Sequence, residues 1–365
     1  MLWGIFCKVA RILPNMPKEQ LLALGLREDM LPYIHLDYLE QMAVLARFDF
    51  ICTDDGRIKC IELNGDTPFL VQETFEMNEK LCAEFGVTNP NDTKQFTKGM
   101  SQALFQAMHF LGKSGQPNVV ITGKTAADDL EEHCQVKFIQ RALPFDIDYI
   151  PIKELVIIHD GPARGLYTPA MERIDGLYRP AHPLEFLLDD VADDGDRIGL
   201  QLLDLVQDKE LAIINAPAAY VLQSKILLWL IWERRNDETL FTKHERGAIK
   251  RYMLPTFLSD APFLEAGRAF VKKPVFSREG NTIEIFDAHG DMHIASPNRH
   301  YTDNLYLYQE FVEMPDVKIQ LKDGGHMKKW LIGSFMVDGK ACGLACRVGN
   351  EITEWDSHWL AVGVE

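Results

Sequence analysis

Four side chains near the start of the chain carry the clearest chemistry. In RFDFICTDDGRIKCIELNGDTP two alternating, extended runs flank Asp55-Gly56. Asp-Gly between such runs is the strongest local hairpin signal, because a two-residue type I′ loop needs positive φ at both positions. A hairpin centred between Asp55 and Gly56 pairs position 49 with 62 and position 47 with 64. The period of two then puts Arg47, Asp49, Glu62 and Asn64 on one face. Directly opposed Asp49 and Glu62 repel each other unless a cation sits between them. Two carboxylates and an amide oxygen are hard ligands suited to magnesium, which bridges protein carboxylates and substrate phosphates. The planar fork of Arg47 suits an oxygen of a transferring phosphate. The competing reading is a solvated sheet face on which Arg47 neutralises two acids. Asn64-Gly65-Asp66-Thr67-Pro68 is likewise compatible with a capped turn, since those residue types dominate turns.

A second group follows in FVKKPVFSREGNTIEIF. Successive lysines on a strand point to opposite faces, so one of Lys272 and Lys273 enters a common pocket; Lys273, extended and restricted by the following proline, is the expected one. The glycine-containing tip Ser277-Arg278-Glu279-Gly280 can bring backbone amides to phosphates while the lysine neutralises charge. The stretch is not a Walker A motif, and a charged surface hairpin fits it equally well. Lys225 interrupts an apolar helical run, either as a phosphate ligand at a cleft or as a lysine snorkelling from the rim of a core. Arg347, after Gly343-Leu344-Ala345-Cys346, needs a partner within its apolar segment and is a second candidate phosphate clamp. Tyr308-Gln309-Glu310-Phe311-Val312 could present polar groups to an adenine edge or simply end a strand before Pro315. Cys342 and Cys346 read as buried small side chains rather than a metal pair. No nucleophile elbow or Cys-His pairing emerges, and His182, His326 and His358 read as structural or exposed.

These residues need a scaffold of mixed type. Two helical patterns are expected over 16–45, separated by LPYIH, and a helical rhythm returns over 71–112. NVVITG, LVIIHD and LAIIN are strand-length apolar runs spaced for an α/β unit with a partly parallel sheet. A long helix is expected over about 217–240, then short strands in AFVKKPVF, NTIEIF, LYLYQEFV, KKWLIGSFMV and KACGLACRV, with a hairpin at Asp338-Gly339. The acidic run at 189–197 suits a solvated turn or helix start.

The 365 residues carry a formal charge of -16, from 54 acidic and 38 basic side chains. Such a surface repels nucleic acid and anionic membranes at long range, which argues against either as a partner. Seven scattered cysteines without CxxC spacing favour free thiols in a reducing compartment, and the N-terminal stretch lacks a cleavage pattern, so a cytoplasmic setting is expected. AAYVLQSKILLWLIW contains Lys225 and stops short of the roughly 20 residues a membrane crossing needs.

Taken in order, these segments resemble the ligase domain of the glutathionylspermidine synthase family. Arg47-Phe48-Asp49 is similar to its arginine-x-aspartate signature, and Cys60-Ile61-Glu62-Leu63-Asn64-Gly65-Asp66-Thr67-Pro68 to its glutamate-x-asparagine-x-aspartate-threonine-proline signature. Gln223-Ser224-Lys225, Val271-Lys272-Lys273-Pro274 with Arg278-Glu279-Gly280, Tyr308-Gln309-Glu310 and Gly343-Leu344-Ala345-Cys346-Arg347 resemble later family segments. The likeness runs from about residue 35 to 359, and its specificity lies in the ordered set. It implies an α/β ATP-grasp fold with α+β elements, whose metal-bearing hairpin is permuted to the N-terminal side and into which a pre-ATP-grasp-like domain is inserted. The implied division is a synthetase core with the hairpin over 1–115, an α/β region over 116–216 and an ATP-binding part over 217–365.

The resemblance also implies roles. Asp49, Glu62 and Asn64 correspond to magnesium ligands, and Arg47 and Arg347 to catalytic phosphate contacts. Lys225, Lys273, Ser277, Arg278, Glu279, Gly280, Gln309 and Glu310 fall in ATP-binding segments. ATP and magnesium are the implied cofactors, and the implied enzyme is an acid–amine ligase forming an amide through an acyl-phosphate. Its expected substrates are a small peptide-like or metabolite carboxylate and an amine, with polyamines among the candidates. No length remains for the amidase domain of bifunctional members, so a stand-alone synthetase-like protein is expected. The alternatives are an ATP-grasp ligase or kinase with a different acceptor and a noncatalytic nucleotide-binding scaffold. Oligomeric state is not legible.

Overall fold

The computed structural model describes residues 1–113, 117–124, 130–302, 304–354 and 356–365. The expected domain boundary at 115–116 touches residues outside this set. The large sheet runs in the order His358–Leu360, Lys340–Gly349, Gly324–Val337, Leu45–Cys52, Ile58–Asn64, with Asp316–Leu321 also paired to Gly324–Val337. All its pairings are antiparallel. Alternation along Leu45–Cys52 sends Phe48 to the back, where it meets Phe6 edge-on at 5.3 Å. That back face, with Cys60 and Leu63, buries itself against the helices Leu2–Ala10 and Ile226–Glu233. The odd positions Arg47, Asp49 and Ile51 are left facing the other way.

A five-stranded antiparallel sheet, in the order Thr256–Phe257, Tyr306–Glu310, Phe270–Pro274, Glu284–Phe286, Met292–Ala295, lies across from that front face. The expected strands all form. A parallel sheet completes the core, in the order Asp148–Pro151, Val119–Gly123, Gly176–Tyr178, Ala212–Ile214. Helices Thr93–Phe110 and Leu130–Ala142 fill the space between it and the large sheet, through Phe96, Met100, Val136 and Ile139 against Ile121, Ile214 and Phe335.

Three expectations are corrected. LVIIHD does not join the parallel sheet: Val156–Ile158 pairs with Gly165–Tyr167 in a separate three-stranded antiparallel sheet. The second helical pattern of residues 16–45 is irregular chain up to Leu45, and only Lys18–Ala23 and a short 3-10 turn, Glu28–Met30, coil before it. The long helix over 217–240 is two helices, Ala219–Gln223 and Ile226–Glu233, because Ser224 adopts an extended ψ of 123°. Apolar continuity hides such a break, since every residue from Ala219 to Leu228 is buried.

The two Asp-Gly turns also differ. At Asp338-Gly339 both residues have positive φ, 50° and 73°, and Val337 pairs with Lys340, a two-residue loop as expected. At Asp55-Gly56 only Gly56 is left-handed, with Thr53 N bonded to Arg57 O and Gly56 N to Thr53 O. This is a type I turn closed by a glycine, one residue longer than expected. On its register Phe50 faces Cys60, which would carry Asp49 opposite Ile61. An irregularity between Asp49 and Phe50 absorbs the extra residue and restores Asp49 opposite Glu62 and Arg47 opposite Asn64. Without that bulge Glu62 and Asn64 would point into the apolar back face.

Candidate active site

The two antiparallel sheets enclose a cavity of about 510 Å³. Arg47, Asp49, Glu62, Asn64 and Arg347 line it from the large sheet, and Val271, Lys273, Ile285 and Gln309 from the five-stranded one. Direct pairing of Val271 with both Gln309 and Ile285 explains why these residues share a face. Lys272, one step along, points away and pairs with Glu284 at 2.9 Å. Lys273 turns inward, as expected, and donates to Gln309 Oε1 at 2.8 Å and to the Ile61 carbonyl at 3.2 Å.

Asp49 is the hub of the buried cluster. Arg47 clamps it with Nε on Oδ1 at 2.6 Å and Nη2 on Oδ2 at 3.0 Å. Its remaining Nη1 donates to the Phe69 carbonyl at 3.0 Å. Arg347 reaches Asp49 Oδ2 at 3.3 Å from two strands away, and Ser357 Oγ accepts from its other nitrogen at 3.3 Å. Gly333 makes the packing possible: a Cβ there would lie 2.8 Å from Arg47 Cδ. Glu62 faces Lys225 at 3.4 Å. The extended Ser224 places Lys225 at the start of its helix, where its amine also donates to the Ser277 carbonyl at 2.6 Å.

Charge in this pocket is strongly perturbed. Burial would raise the Glu62 carboxyl, but Lys225, Lys273 and Arg47 together hold it well below its ordinary value. Burial lowers the Lys273 amine to about 8, against the pull of Glu62 and with the push of Lys225. Burial and the neighbouring Arg47 likewise lower the Arg347 guanidinium. Four cationic side chains thus crowd the two carboxylates of this cluster, while Glu279 and Glu351 line the cavity farther from Asp49.

The donor set can be turned toward a divalent cation. Asn64 Nδ2 lies 3.2 Å from Glu62 Oε1 and 3.5 Å from Asp49 Oδ2. Turning the amide over would place three hard oxygens around one point, a set suited to magnesium. Among the described residues no group of three or more His, Cys, Asp or Glu side chains could hold a metal; the set here is two carboxylates and an amide.

The other expected residues divide between lining and support. Glu279 and Gly280 line the cavity from a left-handed tip, with φ of 54° and 69°. A Cβ on Gly280 would meet Ile352 at 2.8 Å. Arg278 lines it too, and donates to Thr67 Oγ1 and to both oxygens of Glu185, each at 3.1 Å. Glu310 lines the cavity but pairs outward with Arg268 at 2.8 Å. Ser277 and Lys225 stand just behind the wall, Ser277 through its carbonyl alone. Sequence reasoning missed Ser357, Glu185 and the anchor beneath the hairpin. That anchor is Asp66, gripped by Arg179 at 2.8 and 2.9 Å and by the Leu184 amide at 2.8 Å. Asp66 was visible within a turn motif, but nothing local marks its partner 113 residues away.

Comparison with known proteins decides the relationship: the family model of glutathionylspermidine synthase preATP-grasp matches residues 7–365. The chain belongs to that family. Among solved structures, a glutathione synthetase-like effector from Globodera pallida in its apo form is 14% identical with a TM-score of 0.60, over 99% of this chain and 84% of that one. A putative gamma-glutamylcysteine synthetase from Methylobacillus flagellatus is 12% identical with a TM-score of 0.45, over 95% of this chain and 82% of that one. The glutathionylspermidine synthase-like fold is accordingly an α/β fold related to the ATP-grasp superfamily.

Proposed function

We propose that the protein is an ATP- and magnesium-dependent ligase that joins a carboxylate to an amine through an acyl-phosphate. The observation that carries this reading is the surplus of positive charge around Asp49 and Glu62 on the wall of a cavity between two sheets. Such a site is built for a polyanion that arrives with its own cation. The apolar stretch of the same cavity, with Val271, Ile285, Val312 and Leu331, offers a slot for a base, beside the polar edge of Gln309 and Glu310.

Asp49, Glu62 and Asn64 would hold the magnesium, which supplies charge neutralisation on phosphate oxygens when bound. Arg47 and Arg347 would stabilise charge developing on a transferring phosphoryl group, and Lys225 and Lys273 would neutralise neighbouring phosphates. The acid's carboxylate attacks the phosphorus and displaces ADP; the amine then attacks the acyl carbon and displaces phosphate. Glu279 and Glu351 line the same cavity and favour an amine that arrives protonated, which gives up a proton before its lone pair attacks the acyl carbon. The division at about 115 and 216 follows from this reading: the parallel-sheet region would be the pre-ATP-grasp-like insert, and the hairpin the metal-bearing part permuted to the N-terminal side. The seven free cysteines support a reducing compartment such as the cytoplasm.

The test is magnesium-dependent ADP formation across a panel of peptide acids and amines, with product masses recorded and Glu62→Ala as control. Acceptor-dependent ADP with an amide product, lost in the variant, is the expected result. Tight ATP binding with no turnover on any acid–amine pair would point instead to a nucleotide-binding scaffold.

A further inference from the structure

The contacts of Asp49 set a condition on how its site fills, an inference that rests on the ligase reading above. A carboxylate offers about four lone-pair positions. Asp49 has four donors: Arg47 Nε at 2.6 Å, Arg47 Nη2 at 3.0 Å, Arg347 Nη1 at 3.3 Å and Asn64 Nδ2 at 3.5 Å. Three of the four converge on Oδ2, the oxygen that faces Asn64. A cation can reach that oxygen only if Asn64 turns its amide and a guanidinium lets go. The side chain of Asp49 is 1% exposed, so water cannot substitute for the lost partner without entering the cluster.

Charge sets the same condition independently. The four cations gathered on Asp49 and Glu62 repel a bare divalent cation at that point, Lys225 standing against the second carboxylate. A triphosphate brings more negative charge than one divalent cation offsets, so the complex of the two is drawn in where the metal alone is repelled. Its phosphate oxygens also compete directly for the guanidinium groups, for which phosphate is a bidentate partner like carboxylate. Arg347 is the one to yield: it holds Asp49 by a single contact of 3.3 Å, whereas Arg47 holds it by two shorter ones and is tied to Phe69 as well.

We propose that Arg347 acts as a latch on Asp49, so that the site takes a divalent cation only together with a polyphosphate. The nucleotide releases the metal ligand by drawing Arg347 onto its phosphates. By linkage the metal must then tighten nucleotide binding by the same factor as the nucleotide tightens metal binding.

The experiment is direct titration of the full chain with Mn²⁺, read by the loss of the free-ion electron paramagnetic resonance signal. It is run with and without the non-hydrolysable analogue adenylyl imidodiphosphate, whose own affinity is measured by calorimetry. Mn²⁺ should bind at least about tenfold more tightly with the analogue than the analogue's affinity for Mn²⁺ in free solution explains. In Arg347→Gln, Mn²⁺ alone should bind about tenfold more tightly than in the wild type. Asn64→Asp, which replaces a donor with a third carboxylate, should likewise bind Mn²⁺ without nucleotide, and gives a second reading should the arginine variant fold poorly. Tight Mn²⁺ binding to the unliganded wild type, abolished in Asp49→Asn, overturns the latch and leaves the ligase reading standing. Unchanged Mn²⁺ affinity in both Arg347→Gln and Asn64→Asp overturns it too. An analogue that binds without recruiting Mn²⁺ overturns the latch and the metal assignment together. No analogue binding at all removes the nucleotide reading, and the latch with it.

Discussion

Among the described residues two arginine–aspartate pairs are buried, and they are built differently. Arg179 and Asp66 are closed on each other: two bonds join them, the Leu184 amide takes part of Asp66, and the Arg179 nitrogens also donate to the carbonyls of His182 and Asn215. Both side chains are at most 1% exposed, and the charges match one to one. Arg47 instead shares Asp49 with Arg347 at the border of a cavity, where Lys225 and Lys273 crowd the single carboxylate of Glu62. The first arrangement spends its charge on holding the NGDTP turn to the parallel sheet. The second keeps charge in reserve, which an incoming anion can balance. Burial of an ion pair therefore says little about its role, whereas the balance of charge and the space in front of it say a good deal.

The sharpest way to break the comparison is to remove one arginine from each pair. Arg179→Met leaves Asp66 buried and unpaired, and should cost about 3–5 kcal/mol of stability, read by urea denaturation. Arg347→Met leaves Asp49 held by Arg47, so its stability should change by less than about 1 kcal/mol. Its acceptor-dependent ADP formation should nevertheless fall about 10²- to 10³-fold. Equal losses of stability in the two variants would erase the distinction.

Next in size is a pH effect. Because the buried Lys273 amine is lowered to about 8, the free enzyme loses this charge as pH rises through that value. kcat/KM for ATP should then fall above about pH 8, by about tenfold at pH 9, while Lys273→Arg keeps the charge and moves the limb beyond pH 10. The sign for stability is the reverse. A lysine whose folded pKa lies below its ordinary 10.5 costs stability in full below about 8, and that cost disappears as pH rises toward 10.5.

Two smaller substitutions sharpen the geometry. Gly333→Ala places a methyl group against Arg47 Cδ and should cost about 1–3 kcal/mol while slowing turnover. The smallest effect belongs to Lys272→Ala on the outer face. Glu284 keeps Arg299 as a partner, so the loss should stay under about 1 kcal/mol with turnover within about twofold of wild type. A large loss of turnover in Lys272→Ala would mean that the strand is faced the wrong way in this account.

What the sequence disclosed and what it hid follow from the range of the interactions. The shared face of Arg47, Asp49, Glu62 and Asn64 was legible because strand alternation is local, although the turn was one residue longer than expected and a bulge at Asp49/Phe50 made the register come out as read. Lys273 could be separated from Lys272 for the same reason. The break at Ser224 was hidden because buried apolar residues continue across it, and an apolar run carries no mark of where a helix ends. LVIIHD had the composition of a parallel strand, but its partners are chosen by the chain that returns beside it, Gly165–Tyr167. Arg179, Glu185 and Ser357 meet Asp66, Arg278 and Arg347 only through the tertiary fold, and nothing near them in sequence signals that they will.

The central claim is that this cavity transfers a phosphoryl group to a carboxylate. It is tested most directly by giving the enzyme an acid labelled with ¹⁸O in its carboxyl group, together with ATP, magnesium and the amine, and weighing the phosphate released. One ¹⁸O carried into each phosphate, with an amide as the other product, is what the account predicts, since the acyl-phosphate oxygen leaves with phosphorus. Release of unlabelled phosphate alongside ADP would mean that water, not the carboxylate, takes the phosphoryl group, and would contradict it.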